Sequence, residues 1–503
     1  MKPRFFPFVC AACVACILFA WPSPGFPETN VDLISGSGLT GNFFQPSGSL
    51  EGNTLHLAFT GTVDGGTTFQ VYYVPADSSK NFTDANLTGS DVRLNDVKVI
   101  TGSPDSYTQG RRPSVFPISD SGISKVGVVF IGDNKIYFSI LNPNLAAGSG
   151  TTVESVTHIA TSSPSSNVTA ISAAADGNGT VHVLYADDAG SGDIINYVSF
   201  PFNNASTLTE VGPLDTSKSA TAPPQLSLGT DSSFNAHALW SSDGNSDGNS
   251  STEEWKCFYS MIDPDGSVTT LPIPKTRIFG TEGFYLYPSI SVNGTGEIFA
   301  SSQSFNGSIF NGGELYLALI NPELAPRDGT PLTDTDTIFT ALPKNVGDIF
   351  LKPTMVSDSQ KRVHIAGNGY LESGLSFAAY QEVENSFTLL DGQRPVSLTD
   401  IPTFKSGEFD GERSVITYIS AGVAIFAWAG TDNSLSGASH LFMVTAPATA
   451  FPPEPQDESG CAISTSGDRY RANWEDGLFL LFPALLFFFS FLRRKVVNHR
   501  GAE

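Results

Sequence analysis

Between about Val31 and Pro447 the apolar residues come in runs of four to eight, rich in Val, Ile, Phe and Tyr, with clusters of Gly, Asn, Asp and Ser between them. No long stretch places apolar residues at helical spacing, so the pattern predicts an all-β chain. Residues 170–197 show the unit plainly: three short strands joined by two turns of Gly, Asn and Asp. Variants occupy 113–138, 224–244, 288–303 and 353–367. First strands begin near Phe43, Pro113, Thr169, Pro224, Pro288, Pro353 and Arg413, at spacings of 55 to 70 residues. A period of that size holds four strands with their loops. That is one blade of a β-propeller, which buries its faces against its neighbours. Seven starts predict seven blades, with six or eight left open because the first unit is long and blurred. The last unit offers three strands, at 414–419, 423–429 and 440–445. Residues 31–35 are expected to supply its fourth and close the ring without an exposed edge.

The units resemble the blades of sialidase-like, BNR-type propellers, in which a Pro-Ser-Val-like first strand leads through an Asp/Gly turn into a Val-His-Val-like second strand. The resemblance spans roughly 54–429 and implies a carbohydrate-directed propeller. Ser119-Asp120-Ser121-Gly122 and Asp176-Gly177-Asn178-Gly179 are fragments of the Asp box of that family, and Arg111-Arg112-Pro113 echoes its arginine motif. The full Ser-x-Asp-x-Gly-x-Thr-Trp box and the Phe-Arg-Ile-Pro motif are absent.

The two ends change the picture from a free domain to an exported one. Lys2 and Arg4 precede an apolar run at 5–21 and then Pro-Ser-Pro-Gly, the layout of a signal peptide over 1–25 with a helical apolar centre. The propeller follows over 31–447, a linker rich in Pro and acid over 448–460, and a C-terminal segment over 461–503. That segment carries an apolar run at 478–492, expected as a transmembrane helix, and then Arg493-Arg494-Lys495. Bases on its far side orient the propeller outside. Gly460-Cys461, the short apolar run and the terminal basic cluster together resemble bacterial C-terminal sorting signals of the JDVT-CTERM and GlyGly-CTERM type. The resemblance implies an intramembrane sorting protease as partner, acting at Gly460 and Cys461; an ordinary single-pass anchor is the alternative.

Charge and cysteine count then remove some classes. With 50 acidic against 27 basic residues the net charge is −23, so nucleic acid and anionic lipid are repelled as partners. Three of the five cysteines lie in the leader, leaving Cys257 and Cys461. No disulfide framework is possible, and the core must hold the fold.

Candidate chemistry falls in three places. Asp243, Asn245, Asp247, Ser251 and Glu254 put oxygens at positions 1, 3, 5, 9 and 12 of a calcium-loop template, with Gly248 at the turn. Ca²⁺ is the cofactor this implies, a solvated hairpin loop the alternative. His56, His182, His237 and His364 recur just after the turn in their second strands, and are expected to be hydrogen-bonded between blades. Finally, the residues before each first strand should ring the mouth of the axial channel. They include Arg111, Arg112, Tyr285, Tyr287, Lys352, Glu412 and Arg413. Arginines bind carboxylates through paired donors and aromatics stack on sugars, so an anionic glycan is the expected ligand, of which Arg112, Tyr285, Tyr287, Lys352 and Arg413 are the candidate contacts. Asp187, Asp188, Asp193 and Glu412 are candidate acid/base carboxylates. No nucleophile elbow, P-loop, dinucleotide fingerprint or HExxH motif occurs. The expectation is an exported surface or membrane-anchored module binding a glycan or a surface protein. A glycoside hydrolase or polysaccharide lyase is the first alternative and a non-catalytic scaffold the second.

Overall fold

The computed structural model describes residues 31–32 and, outside a set of connecting segments, residues 41–447. Segments such as 33–40, 78–91, 94–109, 244–254, 264–275, 321–336 and 398–414 lie outside the described residues, together with 1–30 and 448–503. The predicted leader, linker, Gly460, Cys461, the C-terminal apolar run, Glu412 and Arg413 all fall there. The described residues contain no helix, so none long and apolar enough to cross a membrane.

They form seven antiparallel sheets, each built outward from its first strand. The first sheet consists of Gly41–Glu51, Thr54–Val63, Phe69–Asp77 and Val92–Arg93. The second holds Gly110–Asp120, Ile123–Gly132, Lys135–Asn142 and Thr152–His158. Val168–Ala175, Thr180–Asp188, Asp193–Pro201 and Thr209–Ser217 make the third. Gln225–Thr230, Ala236–Asp243, Trp255–Ile262 and Thr276–Ile278 make the fourth. The fifth is Phe284–Val292, Ile298–Phe305, Glu314–Ile320 and Thr337–Ala341. In the sixth, Phe350–Ser357, Arg362–Gly369, Leu375–Val383 and Ser386–Leu389 are joined by Val396–Ser397, which also pairs with the third strand. The seventh combines Val415–Ile419, Val423–Thr431 and Ser439–Pro447 with Val31–Asp32 from the other end of the chain. Val31 pairs with Met443 and Asp32 with Phe442, so the earliest strand forms the outer edge of the last sheet. First strands of successive sheets pack side by side, and that of the seventh returns to that of the first. The result is a closed β-propeller.

Among the described residues the core is divided into seven apolar clusters, each shared by two adjacent sheets. The period of two along a strand produces this division. Leu55, Leu57 and Phe59 pack with Ile425, Ala427, Leu441 and Met443 of the seventh sheet. Ala58, between them, packs with Val115, Val126, Val128 and Phe130 of the second. Second strands are thus covered on both faces: Ala236–Asp243 is buried at every position, which is why such strands read as continuous rather than alternating runs. Packing is tight enough to exclude one methyl group. At Gly127 a Cβ would stand 2.4 Å from Phe116 Cε2 and 2.8 Å from Ile118 Cδ1. Gly127→Ala is expected to destabilise the protein by about 1–3 kcal/mol through overpacking, read as a lower urea midpoint at unchanged slope.

The innermost strands share a bend. In sheets one, two, five and six the ladder slips by one residue at Gln45-Pro46, Arg112-Pro113, Tyr287-Pro288 and Lys352-Pro353. Proline has no N–H for the ladder, and a bulge accommodates it. The residue before each proline is left-handed, with φ of 53°, 50°, 56° and 53° in that order. Such a backbone costs a non-glycine residue on the order of 1–3 kcal/mol, and at three of the four positions hydrogen bonds from the preceding sheet hold it. Arg112 N–H donates to Gln45 Oε1 (3.1 Å) and Thr60 Oγ1 (3.0 Å), Tyr287 N–H to Gln225 Oε1 (2.5 Å) and Lys352 N–H to Gln303 Oε1 (3.1 Å). Thr169 is bulged at the corresponding place in the third sheet.

Candidate functional site

The bulges lie toward the end of the ring where first strands begin and second strands turn into third strands. In the second sheet Gly110 pairs with Gly132 and Arg111 with Ile131, next to the Asp133-Asn134 turn, and Arg111 Nη2 donates to Asn134 Oδ1 at 3.1 Å. Side chains at the bulges reach from one sheet to the next. Arg112 Nη1 donates to the carbonyl of Thr169 at 2.7 Å. Lys352 Nζ stands 5.5 Å from the centre of the Tyr287 ring. Arg112, Tyr287 and Lys352 are each half-buried. Tyr285 departs from expectation. It is 2% exposed, set edge-on against Tyr316 with ring centres 5.5 Å apart, and belongs to the core between sheets four and five. Alternation along the strand explains this, because Tyr285 precedes the bulge that re-aims Tyr287.

The third sheet sets Asp193 within the field of Arg112, with Asp188 and Asp187 beside Asp193. Asp188 and Asp193 face each other across the turn between second and third strands. Asp193 Oδ1 accepts the Thr169 hydroxyl at 2.7 Å, and the same hydroxyl lies 3.3 Å from the Ala186 carbonyl. Asp188 Oδ1 accepts Gly190 N–H at 2.8 Å and its Oδ2 accepts Asn167 Nδ2 at 3.1 Å. Asp187 is buried, with Oδ1 accepting Asn167 N–H at 3.3 Å. Burial pushes the Asp193 carboxyl above the usual carboxylate range, and the charges of Asp188 and Asp187 add to this, while the Thr169 hydrogen bond and Arg112 oppose it. Asp187 is raised chiefly by burial, with Asp188 contributing. Thr169 thus places a hydroxyl beside Asp193, and its hydrogen bond favours the ionised carboxylate. When Asp193 is ionised Thr169 donates to it. When Asp193 is protonated Thr169 can accept from it and donate to Ala186. Thr169 and Asn167 are invisible to motif reasoning, since only the bulge and the turn bring them to these carboxylates.

The four histidines are held within their own sheets, not between sheets as expected. The Nδ1 atoms of His56, His182 and His237 lie 2.8, 2.5 and 2.8 Å from the hydroxyls of Tyr73, Tyr197 and Tyr259 on the adjoining third strands. Their Nε2 atoms face Glu51 (3.4 Å), Asp176 (3.2 Å) and Asp231 (3.1 Å). His364 faces Asp358 at 3.7 Å and stacks on Phe377. The reason is the strand register: His182 pairs with Ser199 and Leu184 with Tyr197, so the tyrosine is a diagonal neighbour on the same face, within reach of an aromatic ring. Each of the three aspartates also ties the preceding turn. Asp176 Oδ1 accepts the N–H groups of Asn178 and Thr180 (2.9 and 2.8 Å), Asp231 Oδ1 those of Ser233 and Asn235 (both 2.9 Å), and Asp358 Oδ1 those of Gln360 and Arg362 (2.9 and 3.0 Å). The six-residue spacing from Asp176, Asp231 and Asp358 to His182, His237 and His364 is the sequence trace of this unit.

Of the predicted calcium loop, Asp243 alone is described. It is buried at the end of its strand, with its N–H donating to Ser217 Oγ at 3.1 Å. Asn245, Asp247, Ser251 and Glu254 lie outside the described residues. Among the described residues no group of three or more His, Cys, Asp or Glu is arranged to hold a metal ion.

A ring of antiparallel sheets with charged and aromatic side chains at one mouth defines the class, a β-propeller. No family model matches the chain, and no curated protein matches it. Similar solved structures include the polysaccharide lyase Uly1, at TM-score 0.48 and 7% identity, covering 80% of this chain and 90% of that one. An α-L-arabinanase of Penicillium chrysogenum complexed with arabinobiose has TM-score 0.43 and 11% identity, covering 66% and 92%. The Hadza microbial sialidase Hz136 has TM-score 0.40 and 9% identity, covering 83% and 68%. None of these carries a residue role over to this chain.

Proposed function

We propose that the chain is a seven-bladed propeller whose mouth binds a carbohydrate and cleaves a glycosidic bond. The observation that carries this reading is the Asp188–Asp193 pair, facing across one turn beside Arg112. Facing residues on neighbouring strands have Cβ atoms about 4.5–5.5 Å apart. That leaves the two carboxyls within reach of the separations glycoside cleavage uses, about 5–9.5 Å. Asp193, raised by burial and like charge, protonates the leaving oxygen. Asp188 is the second carboxylate, acting on the sugar or on water. The test is incubation of the purified full chain with a panel of polysaccharides. New reducing ends with saturated products support hydrolysis. Ultraviolet absorbance from a new carbon–carbon double bond replaces hydrolysis by a lyase reaction, and no cleavage of any polysaccharide sinks the enzyme reading. Binding without cleavage is the second reading, favoured by the Lys352–Tyr287 pair, which can hold a sugar without performing chemistry.

The leader and tail extend the proposal to location: export through the segment 1–25 and attachment at a membrane or cell surface through 461–503, after processing by an intramembrane protease. Cys461→Ala is expected to move the protein from the processed, surface-held fraction to an unprocessed one; unchanged fractionation removes the sorting part. Calcium at Asp243, Asn245, Asp247, Ser251 and Glu254 rests on the spacing of their oxygens. Adding Ca²⁺ to chelator-treated protein is then expected to raise the melting temperature, by the linkage of ligand binding to stability. An unchanged melting temperature removes calcium.

A further inference from the structure

The Tyr287–Lys352 pair has a construction that packing alone does not require. Both residues stand at bulges of adjacent innermost strands, each in a left-handed backbone with a proline behind it. A glutamine of the preceding sheet grips each N–H: Gln225 for Tyr287 and the fully buried Gln303 for Lys352. Two strained backbones are thus maintained side by side. Their effect is to turn an aromatic ring and an ammonium group out of the strand alternation and toward one another, with Lys352 Nζ 5.5 Å from the Tyr287 ring centre. Tyr285, two residues earlier and unbulged, is buried in the core instead. Both members of the pair remain half-exposed, and the pair sits on sheets five and six, away from the carboxylates of sheet three.

An aromatic ring with a cation held over one face matches one ligand chemistry well. The apolar face of a pyranose stacks on an aromatic ring, and an acidic substituent on that sugar meets the ammonium group as a point charge. We propose that Tyr287 and Lys352 form a subsite for an acidic sugar residue, one bearing a carboxylate or a sulfate. This rests on the carbohydrate reading of the mouth and names the class of chain that enters it: a polysaccharide with acidic units, gripped at sheets five and six while the bond to be cleaved lies at Asp193. The net charge of −23 makes such a local cation necessary, because the rest of the surface repels polyanions.

The experiment is calorimetric binding to the full-length Asp193→Asn protein, so that binding is measured without turnover. Three probes are used: an oligogalacturonate for the carboxylate arm, a sulfated galactan oligosaccharide for the sulfate arm, and a neutral cello-oligosaccharide of equal length. Tighter binding of one acidic probe than of the neutral one is expected. Lys352→Met is expected to weaken the acidic probe about tenfold and leave the neutral one unchanged. Tyr287→Ala is expected to weaken it as well, and raised salt to erode the Lys352-dependent part. The arm that binds identifies the acidic group. Equal binding of acidic and neutral probes, or equal affinities of the Lys352→Met protein and its parent, overturns the subsite. Lys352→Gln replaces Lys352→Met if the latter does not fold. Lys352-dependent binding in a protein whose unsubstituted form cleaves nothing keeps the subsite and discards the enzyme reading. Cleavage with no Lys352 dependence does the reverse.

Discussion

Asp193→Asn is expected to lower kcat/KM for the cleaved polysaccharide by about 10²- to 10⁴-fold, the range that general acid–base groups supply. KM should change far less, because the role proposed for Asp193 is at the leaving oxygen and not on the bulk of the chain. The amide keeps the shape of the carboxyl and still reaches the Thr169 hydroxyl, so folding is not at issue. The proton is what is lost. The same site makes a pH prediction with a defined sign. Burial and the charges of Asp188 and Asp187 raise the Asp193 carboxyl, while Thr169 and Arg112 lower it. An acid must be protonated to act, so activity falls as pH rises through the pKa of Asp193. Removing the hydroxyl with Thr169→Val takes away an interaction that favours the ionised form. The alkaline limb of the kcat/KM profile should therefore move to higher pH. Thr169→Ser, which keeps the hydroxyl, should leave the limb in place. A limb that moves equally in both variants, or in neither, would remove Asp193 as the acid.

The second large effect is on stability. Asp231→Ala is expected to destabilise the protein by about 3 kcal/mol, measured by urea unfolding. The carboxylate accepts the Ser233 and Asn235 N–H groups, the Asn235 side chain at 2.9 Å and His237 Nε2 at 3.1 Å. Each net hydrogen bond contributes about 0.5–1.5 kcal/mol, and a buried imidazole left without its acceptor costs a further 1–3 kcal/mol. Asp231→Asn should lose less, since its amide oxygen can still tie the turn. Burial raises the Asp231 carboxyl, but the hydrogen bonds from His237 and from the Asn235 side chain and backbone outweigh it and hold it at about 2. A carboxyl depressed from about 3.9 stabilises the fold fully above pH ~4 and loses that contribution as pH falls through about 2. Allowing for its contact with solvent, the acid-sensitive part is about 1 kcal/mol. It should vanish from the difference between Asp231→Asn and unsubstituted protein when both are unfolded near pH 2. A difference that does not change between pH 7 and pH 2 would show that the ionised form is not what the turn requires.

How much of this was legible in the sequence depends on whether the information is local. Strand type and the repeat follow from period-two patterning and from turn residues spaced along the chain, while the number of sheets stayed between six and eight until the pairing of strands was seen. The three-strand last unit even pointed to residues 31–35 as the closing strand, of which Val31 and Asp32 pair with it. The starts at Pro113, Pro288 and Pro353 were visible as repeats, but that Arg112, Tyr287 and Lys352 take left-handed backbones became clear only from the slipped ladders. Tyr285 shows the same limit from the other side. Two tyrosines two residues apart look equivalent in a sequence, and one bulge sends one to the core and the other to the mouth. The histidine repeat was readable and its partners were not, because Tyr73, Tyr197 and Tyr259 meet the imidazoles through strand register. The carboxylates of the third sheet were readable as acids, one group among 50 in the chain. What singles out Asp193 is Thr169 at 2.7 Å, Asp188 across the turn and Arg112 from the neighbouring sheet. The sequence by itself determined the all-β class, the repeating unit and the way the ring closes, since these depend on patterns a few residues long. Only the tertiary structure decided which side chains meet at the bulges and which carboxyl is buried beside other acids, because those depend on sheets distant in the chain meeting around one axis.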